Sequence, residues 1–223
     1  MQGDQTRPTV TGSRWTFGLP ALLAATVLIG VGFGAAAQLL TSSGPALQAL
    51  GMSTAPWVTV GFVFASIVAR RWTGRDRAPW MCVLVALYLY GWLLAYHCLY
   101  ALIENVPAAT VWAESRLWVA AVAPACLALG YVVVGSLRSG VVGDVCLAAP
   151  LAWSLPEAVG AAYTGWSQAL LMTAPLLLVA AAPLVITRDR RWNPTIIVIT
   201  ALLGGAALMV VSAPVMRVLN SAG

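Results

Sequence analysis

The chain has 223 residues, of which 61% are hydrophobic and 9% charged, with a formal net charge of +5 and a mean hydropathy of +0.87. This is the composition of a membrane protein, and no polar segment is long enough to form a second, soluble domain. All 12 basic residues are Arg, which fits a GC-rich bacterial genome and excludes chemistry that needs a lysine: a retinal or pyridoxal Schiff base, or a lysine P-loop.

Residues 1–14 are polar, contain Pro8 and Gly12, and read as a short cytoplasmic tail. Residues 15–223 read as a single transmembrane domain. Seven apolar stretches follow, at 15–40, 52–69, 79–103, 111–137, 141–165, 168–187 and 195–216. Each is long enough for a helix to cross a hydrocarbon core about 30 Å thick. The first is too long for a signal-peptide core and has no clear cleavage site after it, so it reads as a retained span. The expected fold is an all-α, polytopic membrane helical bundle. With the N-terminus inside, ten of the Arg residues fall in cytoplasmic segments and only Arg116 and Arg217 fall outside. That split predicts seven transmembrane helices, N-terminus in and C-terminus out, in the bacterial cytoplasmic membrane. The basic charge then sets orientation. No basic surface interleaved with aromatics exists to bind nucleic acid.

In the first stretch, Gly30 and Gly34 have the G-x-x-x-G spacing that lets two helices approach closely. Gln38 lies one turn on and needs a polar partner. Residues 41–56 carry no charge and are rich in Ser, Gly and Pro. They read as an outer loop with a partly inserted turn, and Trp57 anchors the next span at the interface.

The third stretch is the aromatic one. Tyr88, Trp92, Tyr96, Tyr100 and Glu104 recur every four residues, a stripe that winds slowly around a helix of 3.6 residues per turn. Tyr88, Tyr90 and Trp92 fall near mid-span, where an interfacial belt does not explain them, and their polar atoms need partners or a cavity. Tyr90 and His97 flank the stripe. The fourth stretch opens with Trp112, Glu114, Arg116 and Trp118. Glu114 and Arg116 are two residues apart and do not face each other on a helix.

The fifth stretch carries Trp153-Ser154-Leu155-Pro156-Glu157. A carboxylate deep in an apolar span costs about 2.5–3.5 kcal/mol on insertion scales, so it is retained for a partner or for chemistry. Counted from Val141 at 1.5 Å per residue, Glu157 lies about 24 Å up the span. Glu104, Glu114, Arg116 and Glu157 then share one outer level, with Tyr96, His97, Tyr100, Trp112 and Trp118. The expectation is a shared pocket at that level. The sixth and seventh stretches carry no acid, and Pro175, Pro183 and Gly204-Gly205 read as kinks and packing. Cys82, Cys98, Cys126 and Cys146 are scattered packing residues, and with one His there is no metal-ligand set and no cofactor to expect.

Ten Trp and six Tyr are many for this length. Aromatic faces in a dry pocket attract cations, at about 0.5–2 kcal/mol each. A buried acid beside them is a proton donor next to a wall that stabilises a carbocation. On this reading Glu157, Glu104 and Glu114 are the catalytic candidates, with Glu157 the proton donor. Tyr88, Trp92, Tyr96, His97, Tyr100, Trp112, Arg116, Trp118 and Trp153 are the substrate-binding candidates.

The size, the seven spans and the carboxylates among aromatics resemble the small integral-membrane terpene cyclases, in particular the bacterial indole-sesquiterpene type. The resemblance lies in the overall plan, and no residue role is carried over from it. It implies metal-independent, proton-initiated cyclisation of a farnesylated or other prenylated substrate that enters from the bilayer. The D-x-D-D motif of soluble class II cyclases and the paired aspartate-rich motifs of membrane prenyltransferases are missing. The alternative is a membrane solute-binding component similar to the substrate-binding subunits of vitamin uptake, in which the pocket only binds. A bundle whose acids are simply paired to Arg116 is a third possibility.

Overall fold

The computed structural model describes residues 18–43, 45–72, 76–163, 181, 184 and 191–221. Among them the chain is all-helical: α1 (Leu19–Thr41), α2 (Pro45–Met52), α3 (Ala55–Arg71), α4 (Arg77–Ile103), α5 (Ala108–Ser136), α6 (Val141–Leu147), α7 (Ala149–Tyr163) and α8 (Pro194–Ser221). α1, α4 and α5 are each long and apolar enough to cross a membrane, and Pro194–Val210 is a shorter apolar helix. The expected tail and nearly all of the sixth stretch lie outside the described residues.

Helix boundaries follow the punctuation of the sequence. α1 and α3 each have a proline in their first two positions, where a missing N–H costs no helical bond. α4 stops where Asn105 takes a left-handed φ of 52°, a conformation Asn tolerates, and Pro107 precedes the start of α5. The 41–56 segment, expected as an outer loop with a partly inserted turn, contains the short helix α2. The expected span 141–165 is divided at Ala148 into α6 and α7. Pro150 has no N–H to give to the Cys146 carbonyl, and its ring crowds that turn.

α1 packs chiefly on α4, and α4 on α5. A Cβ at Gly30 would run into the carbonyl of Tyr88, and one at Gly34 into that of Trp92. The expected small-residue contact is therefore with α4, backbone to backbone. Gln38, one turn above, is 1% exposed, and its Oε1 has no partner among the described residues.

The main core lies between α3, α4 and α5 and includes Phe62, Met81, Leu84, Val85, Tyr88, Cys126 and Val133. A second cluster, Leu147, Ala148, Ile197 and Ala201, joins α6 and α7 to α8. Outside these cores, large apolar side chains such as Leu28, Leu94 and Leu203 are exposed, as expected where the solvent is lipid.

Candidate functional site

α4 brings its aromatics together at the end nearest α5's start. Trp92 and Tyr96 stack with centroids 5.8 Å apart and planes at 28°. His97 meets Tyr96 edge-on at 5.4 Å and 87°. Four-residue steps on α4 put one ring above the next, and the slow winding of the stripe carries it toward α5. α5 contributes Glu114 and, one turn further, Trp118. The α2–α3 corner contributes Gly51, Met52 and Thr54. These residues, with Leu93 and Tyr100, line an open cavity of about 300 Å³. Glu114 is the carboxylate among the lining residues. No hydrogen bond or ion pair joins Glu114 among the described residues.

Glu157 lies elsewhere, with its carboxylate turned onto the N-terminus of α3. Oε1 accepts from the Thr54 N–H at 3.0 Å and the Thr54 hydroxyl at 2.5 Å. Oε2 accepts from the Ala55 N–H at 3.0 Å and from the Ser53 hydroxyl. Trp153, one turn before Glu157, donates from its indole Nε1 to the Thr54 Oγ1 at 3.0 Å. Thr54 makes no side-chain cap to its own helix, and Pro56 has no N–H to offer. α3 is thus capped from another helix, by an acid that meets the positive end of its dipole. All four contacts are donors aimed at an acceptor. That is the hydrogen bonding of a carboxylate anchoring a corner, and Glu157 is not among the residues that line the aromatic cavity, although its partner Thr54 is.

The expected common pocket of four polar groups is therefore not assembled. Glu114 lines the cavity, together with Trp92, Tyr96, His97, Tyr100 and Trp118. Glu104 is the exposed C-cap of α4, its N–H donating to the Tyr100 carbonyl at 3.0 Å. Arg116 is exposed and lines no cavity described here, because α5 turns it away from its neighbour Glu114. It does not pair with Glu157, whose oxygens are taken by α3. Tyr88 is 0% exposed in the core, its ring over Gly61 and its hydroxyl donating to the Trp57 carbonyl at 2.9 Å. Trp153 belongs to the α3 cap. Trp112 lines a separate groove that also reaches His97.

Sequence reasoning missed Ser53 and Thr54. The signal was present: Ser-Thr-Ala-Pro ahead of an apolar run is a helix-start signature, and such a start needs acceptors. Among the described residues no group of three or more His, Cys, Asp or Glu could hold a metal ion. No protein family, curated protein or solved structure matches the chain.

Proposed function

We propose that this is a multi-pass bacterial membrane protein that binds an amphiphile with a cationic head in the aromatic cavity between α4, α5 and the α2–α3 corner. The carrying observation is one cavity that combines the Trp92–Tyr96–His97 ring series, Tyr100 and Trp118 with a single lining carboxylate, Glu114. Ring faces each contribute about 0.5–2 kcal/mol to holding a cation. The carboxylate adds the counter-charge. Glu114 is exposed at the rim, a position suited to meeting a charged head. The full topology belongs to the same proposal: seven spans, N-terminus in and C-terminus out, from the Arg distribution and the apolar stretches.

Tetramethylammonium is the head-only probe. Titration into the purified protein should give saturable binding, weakened about tenfold in Trp118→Leu, the loss of one well-placed ring. No saturable binding to the wild type would remove the proposal.

A second reading is favoured by the same juxtaposition of an acid with stacked rings. In it the cavity is the site of a metal-independent terpene cyclase, Glu114 gives its proton to an alkene of a prenylated substrate, and the rings stabilise the cation until a proton is lost. Incubation with a farnesylated amine separates the two readings. Recovery of the ligand unchanged supports binding, and an isomeric cyclised product supports catalysis.

A further inference from the structure

A second cavity of about 400 Å³ runs between α4 and α5 as an open groove. Its walls include Tyr90, Leu94, Cys98, Ala101 and Trp112. It shares Leu93 and His97 with the aromatic cavity, so the same two side chains border both spaces. The groove offers an occupant little polarity. The Tyr90 hydroxyl donates to the Val119 carbonyl at 3.1 Å, and the Ser115 hydroxyl to the Trp112 carbonyl at 3.3 Å. The remaining side chains of the wall are carbon apart from the Trp112 indole nitrogen, the Cys98 sulfur and the His97 imidazole at the neck.

The Tyr90–Val119 bond ties α4 to α5 at one end of the groove, and the α4–α5 turn closes the other. From Tyr90 to Ala101 the groove follows α4 for about 16 Å at 1.5 Å per residue. That is about half of a 30 Å hydrocarbon core, or one leaflet. Both walls belong to helices long and apolar enough to span. Leu94 and Trp112 are 65% and 63% exposed along the groove, so it faces acyl chains and not water.

We infer that the groove holds the single alkyl or prenyl chain of the amphiphile whose head occupies the aromatic cavity, with Leu93 and His97 forming the neck between head and chain. The inference rests on the binding reading above and specifies the ligand further. A head-sized cavity that borders an apolar groove at Leu93 and His97 fits one chain. A two-chain lipid would leave its second chain without a groove.

The test uses the full chain in nanodiscs and an alkyltrimethylammonium whose chain reaches about 12 Å, the distance from Leu93 to Ala101 at 1.5 Å per residue, with a diazirine at mid-chain. Photolysis should label Cys98, Ala101 and Trp112 saturably, and excess unlabelled amphiphile should remove the label. Cys98→Trp, which fills the groove from an exposed wall position, should weaken the long-chain probe about tenfold by steric exclusion. It should leave tetramethylammonium binding unchanged. Label spread equally over Leu28 and Val31 of α1, with tetramethylammonium still bound, would overturn the chain site while sparing the head site. Loss of binding by both probes in the wild-type protein would overturn the head site and the inference with it. Displacement of the label by a two-chain phospholipid as readily as by the single-chain amphiphile would also overturn it, by making the groove an ordinary lipid site.

Discussion

Glu157 and Glu114 are both glutamates on apolar helices, and their surroundings are opposite. Glu157 receives four donors from Ser53, Thr54 and Ala55 and is half-buried at the corner where α7 meets α3. Glu114 is exposed at a cavity walled by Trp92, Tyr96, Tyr100 and Trp118, with no hydrogen bond or ion pair among the described residues. The first acid is satisfied by the fold, and the second has no such donors among the described residues. Depth in an apolar stretch does not separate these roles, because the deeper acid is the structural one. What separates them is the set of donors each carboxylate meets. Buried or half-buried carboxylates are retained where donors are supplied.

Stability measurements grade the two regions from the strongest effect to the weakest. Glu157→Ala strips the α3 corner of its acceptor and leaves two backbone N–H groups and two hydroxyls to find new ones. It should cost about 3 kcal/mol, the scale of hydrogen bonds to a charged group, read as a lower unfolding midpoint in mixed micelles. Glu157→Gln keeps one acceptor oxygen but turns an amide N–H₂ onto a donor. A loss of about 2 kcal/mol follows, so the amide variant should unfold between wild type and Glu157→Ala. Trp153→Phe keeps an aromatic ring but loses the indole donor to Thr54 together with the five-membered ring. About 1 kcal/mol is expected, and a double variant with Glu157→Ala should lose less than the sum, because both act through Thr54. Glu114→Gln breaks no hydrogen bond or ion pair among the described residues and should stay within about 0.5 kcal/mol of wild type in the same assay. Equal destabilisation by Glu114→Gln and Glu157→Ala would erase the distinction between the regions.

The parts of the molecule that could be read in advance are those set by local pattern. The stretches 15–40, 79–103 and 111–137 correspond to α1, α4 and α5 within a few residues at each end. Unbroken apolar length is a local property, and in lipid only a helix satisfies its own backbone. Gly30 and Gly34 were readable as a close-contact face, although their target, the Tyr88 and Trp92 carbonyls, was not. The aromatic stripe was readable as a wall from Trp92 to Tyr100. Tyr88 belongs to the same stripe, yet one turn earlier it faces α3, where Gly61 leaves room for its ring. No spacing within α4 reveals that gap. The partner of Glu157 was out of reach for the same reason: it lies more than a hundred residues earlier, at the start of another helix. The division of α6 from α7 was foreseeable from Pro150, which the hydrophobic run concealed.

Titration of tetramethylammonium against Glu114→Gln and Glu157→Gln side by side, below the unfolding temperature of both, tests the central contrast most directly. The account predicts that Glu114→Gln weakens binding by about tenfold while remaining as stable as wild type. It predicts that Glu157→Gln, although less stable, binds within about twofold of wild type once folded, because its carboxylate lies outside the cavity. Wild-type affinity in Glu114→Gln together with lost affinity in folded Glu157→Gln would contradict the account and return the functional role to the deeper acid.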